Sequence, residues 1–288
     1  MPHLTNESQL RVTPVQTDLY WHQPEANRRH LSEQLAKLKG QTDLVVLPEM
    51  FTSGFTTHPE KSGSTGETVD WLLAQSKTLG AAIVGSLACP VDESDGLVGS
   101  AQVDTINTTQ GRPVFVNRLL FVMPCGKLLH YDKVHLFRMA SEHRRYQAGD
   151  QRCVIEYRGW RLLLTVCYDL RFPVFCRNQN DYDMMLCVAN WPEARRHHWR
   201  TLLTARAIEN QAYVVGVNRV GVDGNDISYS GDSMVLDFLG DTLLDQQGEW
   251  LATTVLDKQK LFEYRERFPV WKDADAFALC LKDADLKR

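Results

Sequence analysis

Short apolar runs rich in Val, Ile and Leu alternate along this chain with longer stretches whose apolar positions recur at helical spacing. Residues 10–15 read as a first strand, and residues 25–38 as a helix with Leu31, Leu35 and Leu38 on one face. The run DLVVL at 43–47 predicts a buried strand ended by Pro48. A helix over 67–78 closed by Gly80, then a strand at 81–87, completes a β-α-β-α-β opening. Residues 91–112 are polar and glycine-containing and read as a loop or irregular insertion. Strands at 114–122 and 128–131 flank the turn PCGK and predict a hairpin, and a second hairpin is expected around Gly159, between 153–157 and 161–166. The β-α rhythm then returns, with a short helix at 174–178, a strand at 183–189 and a long helix over 193–210. Strands at 213–218 and 233–237 follow, and 256–267 reads as a last helix. Neither repeat, low-complexity stretch nor linker divides the chain. The pattern predicts one mixed, layered α/β domain over 1–288, with its core at 10–256 and a C-terminal helix and tail at 257–288.

Composition narrows the class. With 288 residues, 43% hydrophobic and 24% charged, the chain is neither disordered, collagen-like nor a small disulfide scaffold. A net charge of −4 supplies no global field for nucleic acid or an anionic membrane, so neither is expected as a partner. The basic run Arg195, Arg196, His197, His198 and Arg200, at the start of the long helix, is read as a solvated face rather than a phosphate site. The cysteines at 89, 125, 153, 167, 176, 187 and 280 form no CxxC pair and no zinc spacing, so no metal is expected. An odd number scattered among apolar runs fits a reducing compartment. The opening MPHLTNESQLRV lacks the charged and apolar regions of a signal peptide. Apolar runs such as 184–189 fall far short of the roughly 18 residues that span a bilayer. The expectation is a cytoplasmic globular enzyme.

Three residues at strand ends carry candidate chemistry. In LLLTVCYDLRFP an apolar strand runs into Cys167 and then an expected helix, which would expose the thiol and bring backbone N–H groups near it. The field of that helix N-terminus is expected to lower the thiol pKa. Cys153 and Cys187, inside strands, read as small buried hydrophobes. Glu49 ends DLVVLPE, where an apolar pocket would raise its pKa toward the range useful for proton transfer; the alternative is a solvated edge residue. Lys133 in HYDKVHLF either aims its ammonium at a developing oxyanion or is a surface charge.

Taken in order, PEMFTSGF, YDKVHLF, CYDLRFP and ANWP resemble the nitrilase (carbon–nitrogen hydrolase) superfamily, and look most like its omega-amidase branch. The resemblance implies a four-layer αββα sandwich and a Glu-Lys-Cys triad at Glu49, Lys133 and Cys167. It implies a second glutamate that positions the lysine, matched here by Glu142 in SEHRRYQAG. Cys167 would attack an amide carbonyl after Glu49 takes its proton, while Lys133 and the backbone N–H of Tyr168 bind the oxyanion. No metal or organic cofactor is implied. The substrate would be a small dicarboxylic acid monoamide of the 2-oxoglutaramate or 2-oxosuccinamate type. Its distal carboxylate needs a cation, for which Arg138, Arg144, Arg145 and Arg171 are candidates; for Arg171 a structural ion-pair role is the equal alternative. Phe55 and Trp191 are expected to line the pocket. A homo-oligomer, with a dimer favoured, is implied as well, and Phe268, Val270 and Trp271 are candidates to join its interface. A carbamoylase, a nitrilase, or a catalytically silent binding module on the same fold remains as an alternative.

Overall fold

The computed structural model describes residues 8–91 and 114–281, so the expected loop at 91–112 lies, beyond Val91, outside the described residues. Two sheets face one another. The first contains β1 (Gln9–Gln16), β2 (Leu44–Val46), β3 (Ala82–Pro90), β4 (Phe115–Val122) and β5 (Leu128–Asp132). Strands β1 to β3 run parallel, and β4 and β5 continue the sheet as an antiparallel hairpin. The second sheet contains β6 (Cys153–Tyr157), β7 (Trp160–Val166), β8 (Met184–Ala189) and β9 (Tyr213–Asn218). Here β7, β8 and β9 are parallel and β6 is antiparallel to β7. A small separate hairpin follows, β10 (Val220–Val222) and β11 (Ser228–Ser230). Strands β12 (Met234–Leu236) and β13 (Thr242–Asp245) then extend the second sheet beside β9. The chain returns to the first sheet as β14 (Trp250–Leu251) and β15 (Thr254–Asp257), both antiparallel to β1.

The two-residue period of a strand sorts side chains between layers. Leu44, Val46, Ala82 and Val84 point into the core shared with the second sheet. Their neighbours Val45 and Ile83 point outward, against Leu31 and Leu35 of α1 (Pro24–Leu35) and Leu72 and Leu79 of α2 (Thr65–Leu79). Leu38, expected on the same helical face, joins that cluster from a 3-10 turn, Ala36–Leu38, that continues α1. The start of α2 is capped by Ser64 Oγ, which accepts the Glu67 N–H at 3.3 Å, and Gly80, at φ 69°, ends the helix in the left-handed region. The outer face of the second sheet is covered by α4 (Arg196–Asn210), whose Trp199 and Leu203 are fully buried; α3 (Pro173–Cys176) is a single turn. The result is the αββα arrangement.

Three local expectations change. The last helix, α5 (Lys258–Arg267), starts later than expected because 254–257 pairs with β1, and Asp257 serves as its cap, accepting the N–H groups of Gln259 and Lys260. The helix expected at 174–178 shrinks to α3, preceded by a 3-10 turn at Cys167–Arg171. The basic run is not simply a solvated face. Arg196 and Arg200 both pair with the buried Asp232, and Arg200 also reaches Asp245.

Candidate active site

The carboxyl ends of β2, β7 and β8, with the end of β5, deliver their next residues to one place. Glu49 follows β2 and is fully buried. Its Oε1 accepts from Lys133 Nζ at 3.0 Å and Asn117 Nδ2 at 2.8 Å, and its Oε2 accepts the Asn190 N–H at 2.8 Å. Asn190 also donates from Nδ2 to the Glu49 carbonyl at 2.6 Å, which ties the end of β8 to the end of β2. A solvated edge position for Glu49 is therefore excluded.

Lys133, the residue after β5, is held by its backbone. Its N–H donates to the Asn117 carbonyl, and its own carbonyl accepts the Gly149 N–H, each at 2.9 Å. Only glycine fits at 149, since a Cβ there would lie 2.1 Å from the Asp132 carbonyl oxygen. The ammonium donates to both oxygens of Glu142, at 3.0 and 3.1 Å, as well as to Glu49. Glu142 reaches it because the chain turns sharply at Ser141, φ 58°, and Glu142 Oε2 also accepts the Phe137 N–H at 2.5 Å. All three charged side chains are shielded from solvent. Burial alone would lower the Lys133 pKa, but Glu142 and Glu49 outweigh it and hold the group well above its ordinary value, so it stays charged. Burial raises the pKa of Glu142, with Lys133 opposing and Glu49 adding to the rise.

Cys167 sits where β7 breaks into the 3-10 turn, in the left-handed region at φ 48°. A non-glycine residue there is strained unless its surroundings hold it. Asp169 supplies that hold. Its buried carboxylate accepts the Val166 N–H at 2.9 Å and the Tyr131 hydroxyl at 2.7 Å on one oxygen. The other oxygen accepts the His135 N–H at 3.0 Å and lies 2.8 Å from His135 Nδ1. One side chain thereby ties the Cys167 turn to the segment that carries Lys133. The thiol is 4.0 Å from the Asn190 carbonyl oxygen. Its pKa is raised, not lowered as expected: burial dominates, Glu49 adds to it, and Lys133 opposes. The helix expected to lower it is a 3-10 turn followed by a single helical turn, too short for an appreciable dipole to offset that burial. Burial likewise pushes up the thiols of Cys187, fully buried in β8, and of half-buried Cys153, the latter to about 11.

A cavity of about 80 Å3 opens over this cluster. Lys133, Cys167, Tyr168 and Asn190 line its reactive end, and Phe55, Phe137, Trp191 and Tyr229 supply aromatic wall. Phe55 also places its ring 5.7 Å from the Lys133 ammonium. Of the four candidate arginines only Arg171 lines the cavity. Arg138 is exposed on the 3-10 turn Arg138–Ala140, outside the lining, and Arg144 and Arg145 are exposed too, Arg145 pairing with Glu60. Arg171 makes no carboxylate ion pair among the described residues; it stacks over Trp191 at 4.7 Å and donates to His198 Nδ1 at 3.2 Å. Sequence reasoning missed Arg195 and Phe137 in the wall, Asn190 at the reactive end, and Asn117 and Asp169 behind it. Asn190 and Asp169 stand inside the recognisable words ANWP and CYDLRFP, but nothing in their spacing indicates what they bond to. Among the described residues no group of three or more His, Cys, Asp or Glu could hold a metal ion.

Residues 11–266 match the carbon-nitrogen hydrolase family. The chain belongs to it. The omega-amidase YafV of Escherichia coli strain K12 is 47% identical over 281 residues, covering 94% of this chain and 98% of that one. The Yersinia enterocolitica protein of the same name is 48% identical over 277 residues, covering 94% and 99%. These identities support the omega-amidase branch of the family. A CN-hydrolase superfamily protein from Xanthomonas campestris, solved with an arsenic adduct in its active site, superposes with a TM-score of 0.84 at 45% identity, covering 94% of this chain and 99% of that one.

Proposed function

We propose that this carbon-nitrogen hydrolase is a thiol amidase that releases ammonia from the terminal amide of a small dicarboxylic acid monoamide, of the 2-oxoglutaramate or 2-oxosuccinamate type. The observation that carries the reading is the ammonium of Lys133, held about 3 Å from two buried carboxylates at the end of a cavity that also contains Cys167. Omega-amidases at 47–48% identity support the choice of substrate class.

In this mechanism Glu49 takes the thiol proton as Cys167 Sγ attacks the amide carbon. The oxyanion that forms is bound by the Lys133 ammonium and the Tyr168 N–H. Collapse of the intermediate breaks the C–N bond, with Glu49 returning its proton to the departing ammonia and an acyl thioester left on Cys167. Glu49 then takes a proton from water, which attacks the thioester; collapse breaks the C–S bond, Glu49 returns its proton to the departing sulfur to restore the thiol, and the new carboxylic acid leaves. The cycle consumes one amide and one water and yields one acid and one ammonia, and each step is easier than direct hydrolysis.

Cytoplasmic residence and a homodimer belong to the same proposal. Seven free cysteines support a reducing compartment, and no helix among the described residues is long and apolar enough to cross a membrane. The exposed Phe268 and Trp271 support an interface near the C-terminus. The test is ammonia release from 2-oxoglutaramate, N-carbamoyl amino acids and simple nitriles, by wild type and Cys167→Ala. Turnover of the acid amide that disappears in folded Cys167→Ala is expected. Activity confined to carbamoyl compounds or nitriles, or activity retained by the variant, would overturn the proposal.

A further inference from the structure

The cavity has two electrically different ends. At the reactive end Lys133 is flanked by Glu49 and Glu142, so its charge is more than compensated. Elsewhere on the wall are Arg171 and Arg195, and no Asp or Glu among the described residues lines the cavity. The neighbouring cations of the basic run are already engaged, Arg196 by Asp232 and Arg200 by Asp232 and Asp245. Arg195 differs from them. Its guanidinium lies 5.4 Å from the Phe137 ring centre and has no carboxylate partner among the described residues. Arg171, over Trp191, likewise has no carboxylate partner among the described residues and meets only the His198 ring nitrogen. Both cations are partly withdrawn from water, and each is braced against an aromatic face. An arginine pre-oriented in this way, and lacking an acid of its own, is suited to take a planar carboxylate from a ligand.

We infer that Arg195 and Arg171 together form the subsite for the substrate's distal carboxylate, and that the same pair selects against substrates carrying an α-ammonium group. The inference rests on the amidase reading for the reactive end and adds the residue that sets specificity. A 2-oxo acid amide presents only negative charge and carbonyl oxygen to the two guanidinium groups. The corresponding α-amino acid amide would add a third cation, with no acid on the wall to receive it.

The test compares 2-oxoglutaramate, L-glutamine and neutral butyramide as substrates of wild type, Arg195→Met, Arg195→Lys and the exposed control Arg138→Met. Loss of one charge-assisted contact should narrow the preference of Arg195→Met for the oxo acid amide over butyramide by roughly 10- to 100-fold. Lysine restores the charge without the fork and should recover part of that preference. Arg138→Met should keep the wild-type ratio. A second measurement needs no turnover: glutarate should protect Cys167 from iodoacetamide in wild type and protect it less in Arg195→Met. Equal wild-type efficiency on acid and neutral amides, with no protection by glutarate, overturns the subsite while the amidase reading stands. Equal efficiency on glutamine and 2-oxoglutaramate overturns the selection against α-ammonium. If no amide is hydrolysed but Arg195-dependent protection persists, the amidase reading fails and the subsite survives.

Discussion

Replacing Glu142 with glutamine tests whether the second carboxylate holds the lysine or merely neighbours it. Lys133 and Asn117 donate to its Oε1, and Lys133 and the Phe137 N–H to its Oε2. Every partner is a donor, so the NH2 group of a glutamine would face a donor in either orientation. The attraction removed is large in gross terms: two charges about 3 Å apart interact by about 5.5 kcal/mol at an effective dielectric constant of about 20. Against this, Lys133 keeps Glu49, the repulsion between Glu49 and Glu142 disappears, and one charge no longer has to be buried. The expected net loss of stability is about 2–3 kcal/mol, below the about 3–5 kcal/mol for stripping a buried ion of its sole partner. With the ammonium no longer fixed where an oxyanion would form, kcat should fall roughly 10²- to 10³-fold with KM little changed. Urea unfolding and steady-state ammonia release measure the two effects. Iodoacetamide separates this role from that of the base: with Glu49 intact, Cys167 should be alkylated faster in Glu142→Gln than in Glu49→Gln. A variant whose unfolding midpoint matches wild type and whose kcat stays within about twofold of it would refute the reasoning.

Glu49→Gln, which cannot accept the thiol proton, should lose roughly 10²–10⁴ in rate, and thiol alkylation at neutral pH should slow with it; unchanged alkylation would make Glu49 structural. Cys187→Ala should cost about 1–2 kcal/mol of stability through lost packing in β8 while turnover persists, read by unfolding and ammonia release. Stability should fall at acid pH. Burial raises the carboxyls of Asp43, Asp183 and Asp232, but hydrogen-bonded arginines outweigh it and leave each below the ordinary 3.8. The stabilisation is then fully present above about pH 4 and lost as pH falls through the folded values, and Asp183→Asn should flatten the melting temperature against pH in that range.

The long elements were legible because each carries several periods of its pattern. Leu31, Leu35 and Leu38 repeat at helical spacing, and all three bury against the first sheet. Strands β10, β11, β13, β14 and β15 were not, since two to four residues hold too little alternation to register. The helix expected at 256–267 takes in the last two residues of β15 for a further reason. The strand's pairing partner is at the opposite end of the chain, with Leu256 beside Leu10, and no local pattern reports that. Charge was harder still. Glu142 reads as one more polar loop residue until Ser141 turns it inward, and Arg138 stands nearer in sequence to Lys133 than Arg195 does, yet points to solvent. Proximity along the chain was the wrong guide to the cavity wall. Side-chain direction is set by the turn that carries the residue, and that turn is set by contacts far away in sequence.

A thiol with a raised pKa is compatible with its proposed role once charge is followed through the first step. At rest Cys167 is neutral, and the site holds the Lys133 cation and two carboxylates, a net charge of minus one. Moving the thiol proton to Glu49 shifts a negative charge from carboxylate to sulfur without changing that total, so no new net charge is created in the buried site. Releasing the proton to water instead would bury a second net negative charge beside Glu49, the penalty that holds the thiol pKa up. Protonation of Glu49 also removes one of the two carboxylates that engage Lys133. The ammonium, still held by Glu142, then has capacity for a new acceptor at the stage when the substrate oxygen acquires charge. On the proposed mechanism the two glutamates would divide the work by geometry: Glu142, bound to the lysine through both oxygens, would keep it in place, while Glu49, bound through one, would release it.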